Sequence, residues 1–278
     1  MIEQILKTIV QEKKLQGNST SLIRNYLKEY IQYLVLSLLY NHKKMKNLVF
    51  KGGSCLRICD NLPRLSEDLD FDYDKNIIGV DVLGELDEYL KKEIKNKYYS
   101  KLETKIQSTI RLYLKFPLLK DLGLAGSSES DKLYVKIETS DELSPNAGYT
   151  LTPISKYGFN FIAYHYDMPS LMSGKINALL FRVWIKGSGD QKSQIDIKGR
   201  DFYDLFWFLQ KGIEPNFKML NKTAGIKDKK ELKNVLIQRI KKVITPQKLS
   251  YDLNNFISDR QFVDDFFKNY LKIISKYL

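Results

Sequence analysis

The chain has 278 residues, 43% of them hydrophobic and 28% charged, an ordinary globular balance that excludes a disordered polyelectrolyte. With 15 glycines and 7 prolines it is neither collagen-like nor dominated by linkers. The 45 basic residues exceed the 33 acidic ones by 12, so a polyanionic partner is expected.

In chain order, the first 15 residues read as a helix. Residues 20–42 carry Ile23, Leu27, Tyr30, Leu34 and Leu38 at helical spacing, with Ser19-Thr20-Ser21 supplying the N-cap. The apolar run Ile31–Tyr40 is interrupted by Gln32 and Ser37 and is shorter than the roughly 18–20 residues of a membrane span. The opening Met1-Ile2-Glu3-Gln4 lacks the basic start of a secretory signal, so a cytoplasmic address without membrane is expected. Leu48-Val49-Phe50 reads as a short strand ending at Gly52-Gly53, followed by a short helix from Ser54 to Asn61. Cys55 and Cys59, four apart on that helix, read as small core residues, since His42 and His165 offer no matching ligand pair. Residues 65–73 alternate as a strand does, and 80–101 are helical and charged. Residues 106–116, 132–138 and 159–166 read as strands, with a Gly/Ser-rich loop at 123–130. Met168-Pro169 opens a helix to about residue 185, Gly187–Asp190 reads as a loop, and helices follow from Asp201 onward. This order predicts an α+β fold: a small mixed sheet flanked by helices in residues 1–167, and a mainly helical, basic domain in 168–278.

Charge is unevenly spread. Between Lys211 and Lys248 eleven bases face three acids, for +8. Between Glu67 and Asp74 there are five acids in eight residues. On the strand, Asp68 and Asp70 share a face, as do Asp72 and Asp74 if the strand continues, while Leu69, Phe71 and Tyr73 take the core side. Carboxylates two apart on one face repel unless a cation neutralises them, and hard oxygen ligands suit Mg²⁺, with Mn²⁺ an alternative ion. Upstream, Gly52-Gly53-Ser54 at a helix start exposes backbone N–H groups to an anion, and Ser54 adds a hydroxyl.

The order GGS, helix, strand with D-x-D resembles the polymerase-β-like nucleotidyltransferase superfamily. The fuller strings F-K-G-G-S-C-L-R (50–57) and R-L-S-E-D-L-D-F (64–71) look closely like the AbiEii/AbiGii toxin family, which includes the MenT-type toxins. The resemblance covers roughly residues 20–210. It implies an Mg²⁺-dependent transfer of NMP from an NTP to an acceptor, in a toxin restrained by a separately encoded antitoxin. Known relatives modify the tRNA 3′ end, which suits the basic 211–248 segment. By the same resemblance Asp68, Asp70 and Glu138 are metal ligands. Gly52, Gly53, Ser54, Ser66, Lys175, Arg182, Arg200 and Asp204 are nucleotide-side residues, and Asp68, Asp70, Lys175 and Asp201 are catalytic. Ser66 is in addition a site where phosphorylation would inhibit. Glu138 stands in Val135-Lys136-Ile137-Glu138, and could alternatively help deprotonate the acceptor hydroxyl. Lys175 and Arg182, seven apart, share a helix face in residues 173–182. In Lys198-Gly199-Arg200-Asp201-Phe202-Tyr203-Asp204 the two bases of the family's R-x-K-D-x-x-D string are exchanged, with both aspartates kept. Two alternatives stay open: a nucleotidyltransferase acting on a small molecule or protein, and a non-catalytic toxin that binds nucleotide or RNA.

Overall fold

The computed structural model describes residues 2–182, 184–186, 193–195, 198–243 and 246–278. Two compact units emerge. The first comprises Met1–Leu143 and Tyr149–Tyr166; the second comprises Ser144–Gly148 and Asp167–Leu278.

The first unit opens with helices α1 (Ile2–Leu15) and α2 (Thr20–Tyr40), the latter capped by Ser19, whose hydroxyl accepts from the Leu22 N–H. Strand β1 (Val49–Lys51) runs directly into α3 (Gly52–Cys59). Strand β2 (Asp68–Asp72) follows, then α4 (Lys75–Ile78) and α5 (Val82–Lys97). Strands β3 (Glu103–Gln107), β4 (Arg111–Pro117), β5 (Lys132–Ser140), β6 (Tyr149–Lys156) and β7 (Phe159–Tyr166) complete one seven-stranded mixed sheet in the order β3-β4-β5-β2-β1-β7-β6. The fold class is thus the expected α+β arrangement.

Five strand residues put the chemistry at the sheet centre. β2 pairs antiparallel with β1, which opposes Lys51 to Asp70, and parallel with β5, which opposes Asp68 to Lys136 and Asp70 to Glu138. Leu69 and Phe71 on the other face of β2 are wholly buried, and Phe71 stacks on Phe50 at 5.2 Å. The apolar face anchors the strand and leaves its acidic face to be positioned by the neighbours.

Several elements differ from the sequence expectation. The run 106–116 is not one strand: a 3₁₀ turn at Ser108–Ile110 divides β3 from β4. β6 was not foreseen. It is an edge strand with Leu151 and Tyr149 exposed and Pro153 in its middle, a pattern that lacks the clean alternation of a half-buried strand.

In the second unit α6 (Met168–Phe181) ends four residues earlier than expected, and short strands β8 (Trp184–Lys186) and β9 (Ser193–Ile195) pair antiparallel. The loop expected at Gly187–Asp190 lies outside the described residues. Helices α7 (Gly199–Gln210), α8 (Phe217–Ala224), α9 (Lys229–Val243), α10 (Pro246–Leu253), α11 (Arg260–Lys268) and α12 (Tyr270–Ile274) follow. Their core is aromatic: Phe202, Phe266, Phe267 and Tyr270 are buried together, and the Tyr270 hydroxyl donates to the Phe202 carbonyl at 3.0 Å. No helix among the described residues is long and apolar enough to cross a membrane.

Candidate active site

The glycine turn and the acidic strand meet. Gly52 begins α3 at φ +81°, a left-handed conformation that a side chain strains. A Cβ placed there would lie 2.3 Å from Asp70 Oδ2, so the Asp70 carboxylate rests directly against the turn. At Gly53 a Cβ would lie 2.8 Å from both Ser66 Oγ and Arg64 Nη2. The turn is therefore bare backbone with Asp70 on one side and a buried guanidinium on the other. Ser54 differs from expectation: its hydroxyl donates to the Asp68 carbonyl, tying the first turn of α3 to β2 rather than standing ready for a ligand. Ser66 is 7% exposed, behind Gly53, and its carbonyl accepts from Gln32 Nε2 at 3.2 Å.

The five acids of the knot have five different environments. Glu67 pairs with Lys28 at 3.1 Å. Asp74 does not continue the metal face: it caps α4, accepting from the Asn76 N–H at 2.8 Å. Asp72 shares the face of Asp68 and Asp70 but is buried and satisfied, pairing with Lys51 and accepting from the Tyr166 hydroxyl at 2.7 Å. Asp68 pairs with Lys136 at 3.0 Å. Among the described residues no cation pairs with Asp70. Burial, then the charges of Asp68 and Glu138, push its carboxyl up to about 6.

Glu138 sits opposite Asp70 in the β2–β5 register, yet it already has two cationic partners. Lys136 Nζ lies 2.9 Å and Arg111 Nε 2.6 Å from Glu138 Oε1. Burial raises the Glu138 carboxyl, but these two hydrogen bonds outweigh it and leave the group below its usual range. The ammonium of Lys136 thus bridges Asp68 and Glu138, so the carboxylate left to a divalent ion is Asp70, with Asp68 beside it. This donor set fits a hard dication: oxygen only, on one rigid strand, and carrying a repulsion that a cation would relieve. Lys136, Arg111 and Arg64 were missed from sequence. The signal for Lys136 was present, two residues before Glu138 on the same strand face. That for Arg111 required the β4–β5 register.

In the second unit the structure brings Lys175, Arg182, Asp201 and Asp204 together. Lys175 Nζ lies 3.2 Å from Asp201 Oδ1 and 2.7 Å from Asp204 Oδ2, and Arg182 Nη1 lies 2.5 Å from Asp201 Oδ2. Burial raises the Asp201 carboxyl, but Lys175 and then Arg182 overcome it and hold the group below its ordinary value. Arg182 is not on the helix face of Lys175: α6 has ended, and Arg182 is its extended C-cap. Arg200 does not join this cluster among the described contacts. Its Nε pairs with Asp252 at 3.3 Å, and its guanidinium lies over the Phe256 ring at 4.2 Å. Lys175 is only 13% exposed at its side chain, whereas Arg182 is 37% exposed.

The basic segment 211–248 contributes nine exposed lysines, from Lys211 to Lys242, while Leu232, Leu236 and Ile240 bury the opposite stripe of α9. A cavity of about 850 Å³ in the first unit is lined by Tyr40, Ile77, Leu151, Ile162 and Tyr164 among others. Neither Gly52 nor Asp68, Asp70 or Glu138 lines it.

The family of nucleotidyl transferase AbiEii toxins, of type IV toxin–antitoxin systems, matches residues 34–277. The match runs through the C-terminal helices, beyond the 20–210 stretch that carries the sequence resemblance. Among curated proteins none matches. Among solved structures the chain is similar to JHP933 from Helicobacter pylori, at 18% identity over 91% of this chain and 92% of that one, with a TM-score of 0.44. It is also similar to an H. pylori chain provisionally described as a nucleotidyltransferase, at 18% identity over 90% and 93%, with a TM-score of 0.46.

Proposed function

Since the chain belongs to the AbiEii family of nucleotidyl transferase toxins of type IV toxin–antitoxin systems, we propose that it moves an NMP from an NTP to the 3′ end of a tRNA, with Mg²⁺ bound at Asp68 and Asp70. The observation that carries this reading is the Asp70 carboxylate. It is crowded by two other carboxylates, forms no ion pair among the described residues, and lies against the bare backbone of Gly52. An inert binding protein gains nothing from keeping such a group, whereas a metal-dependent phosphoryl transferase needs it.

The chain's own groups divide the work. The N–H groups at the start of α3 receive phosphate oxygens, and Arg64 behind Gly53 adds positive potential there. Asp68 and Asp70 hold the divalent ion, which when bound offsets the charge of the triphosphate. Glu138 keeps Lys136 and Arg111 beside that position, so that charge near the reacting phosphate stays balanced. In the second unit Lys175 is a positioning residue: it locks Asp201 and Asp204, and Asp201 in turn aims the more exposed Arg182. The net reaction forms a bond from the acceptor hydroxyl oxygen to the α-phosphorus and breaks the bond from that phosphorus to the leaving pyrophosphate. The acceptor proton passes to solvent or a carboxylate. The exposed lysines of 211–242 hold the RNA backbone. A cognate antitoxin, encoded separately, is the partner that restrains the activity.

The test is mass determination of tRNA 3′ ends after incubation with each NTP and Mg²⁺, alongside Asp68→Ala. Addition of one or more nucleotides by the wild type alone supports the reading. Unmodified tRNA with every NTP, together with labelling of a protein or small acceptor, would replace it.

A further inference from the structure

We propose that Cys55, Cys59 and His165 form a binding site for one Zn²⁺ ion, distinct from the acidic strand, that fastens the end of α3 to β7. The sequence separates these residues, but the fold joins them. Cys55 and Cys59 are one turn apart on the same face of α3, the i, i+4 spacing that lets two side chains of a helix share an ion. β1, which leads into α3, pairs in parallel with β7, and its Phe50 opposes His165. One ligand atom from each of the three residues lies within 4.8 Å of the other two. In a tetrahedral zinc site, with bonds of about 2–2.3 Å, such atoms stand nearly 4 Å apart, so closure on an ion asks for a shift of about an ångström.

The histidine is already oriented as a ligand. Its Nδ1 lies 2.8 Å from the Tyr166 carbonyl, which can only accept, so Nδ1 carries the proton. That leaves the lone pair on Nε2, which accepts from the Thr152 hydroxyl at 2.8 Å, a hydrogen bond whose place a bound ion would take. A backbone carbonyl fixing one ring nitrogen so that the other can bind is the usual support of a metal-binding imidazole. Hydrogen bonding from Cys55 draws the Cys59 thiol down to about 7, with His165 adding to the effect. Cys55 and His165 are buried and Cys59 is half-buried, which shields the site from bulk solvent.

The chemistry selects the ion. Two sulfurs and one imidazole are soft and borderline ligands that favour Zn²⁺ and reject Mg²⁺, the reverse of Asp68 and Asp70. Three protein ligands leave the fourth tetrahedral position to water or to the carboxylate of Asp60, whose charge acts on both thiols and on the imidazole. Because α3 begins with the Gly52–Ser54 turn, an ion at its far end would hold that turn in place without touching substrate.

The full-length chain, reduced and loaded with ZnSO₄, is desalted and its metal measured by mass spectrometry, with Co²⁺ as an optical substitute. The expected result is about one zinc retained per chain, and thiolate-to-Co²⁺ absorption in the near ultraviolet. Cys59→Ser, at the partly exposed position, should lower retention at least about fivefold while near-ultraviolet circular dichroism stays native; His165→Gln should do the same. Asp70→Asn should retain zinc as the wild type does, which separates this site from the acidic strand. Zinc should also slow the reaction of the two thiols with a disulfide reagent. Equal retention by wild type and Cys59→Ser overturns the proposal, and so does a reduced wild type that keeps no zinc and simply oxidises to a Cys55–Cys59 disulfide.

Discussion

The two carboxylate clusters of this chain are built on opposite principles. In the second unit Asp201 and Asp204 are buried, and each meets a cation within the cluster; Asp201 is held below its ordinary range. In the first unit Asp70 is pushed up to about 6 because burial and two neighbouring acids act on it without a paired cation among the described residues. Removing one partner from a buried balanced cluster exposes a large desolvation cost, so such a cluster is chiefly a fastening. An unbalanced one costs stability until a ligand arrives, as the metal site proposed for Asp68 and Asp70 requires. Both look the same in sequence, as two aspartates two or three residues apart. The geometry of the cations around them decides which is which.

The comparison can be broken most sharply at Asp70. Asp70→Asn should reduce tRNA nucleotidylation by at least about a thousandfold, since it removes a ligand of the catalytic ion. At the same time it should leave the metal-free melting temperature unchanged or raise it, because a repelling charge is gone. A melting temperature that drops steeply would mean that Asp70 is structural. Lys175→Met should do the reverse in kind: it removes the cation that Asp201 and Asp204 share, leaving Asp201 to Arg182, and should cost about 3–5 kcal/mol of stability, read by denaturant unfolding. Lys175→Met combined with Asp204→Asn should recover part of that loss. If Lys175→Met unfolds no more easily than the wild type, the cluster is not a fastening.

A third expectation concerns pH. The Asp70 carboxyl titrates higher in the folded chain than in the unfolded one, so its contribution to stability is full below about pH 4 and is lost as pH rises through about 6. In the proposed site Mg²⁺ would replace that proton. The rise in melting temperature produced by Mg²⁺ should therefore be small at pH 5 and fully developed by pH 7, and Asp70→Asn should abolish this dependence. A rise of equal size at both values would place the ion elsewhere. The smallest effect belongs to the exposed lysines. Reversing Lys230, Lys233 and Lys241 to Glu should weaken tRNA binding and lower the slope of log affinity against log salt by about two to three, with stability unchanged. An unaltered slope would remove α9 from the RNA surface.

Much of the first unit could be read from residue order. Alternation in β2 placed Leu69 and Phe71 inward and Asp68 and Asp70 together, and glycine at 52 and 53 marked a turn where backbone must stay bare. What could not be read was the state of each charge, because that depends on partners supplied by register. Glu138 looked like a free ligand until β4 and β5 brought Arg111 and Lys136 onto it. Ser54 looked like a ligand donor until β2 offered it a carbonyl. Arg182 looked co-facial with Lys175 because helical spacing was assumed to continue, and α6 stops at Phe181. His165 gave no sign of meeting Cys55 and Cys59, since a parallel pairing joins segments far apart in the chain.

Pro153 in the outermost strand has a consequence for the protein's life among its own copies. The open side of β6 is where a second molecule would add a strand, and Leu151 and Tyr149 there are exposed. A proline has no N–H to donate, so the row of backbone groups on offer is interrupted in its middle. The sheet can therefore keep an apolar border without inviting the stacking that would draw active toxin into aggregates.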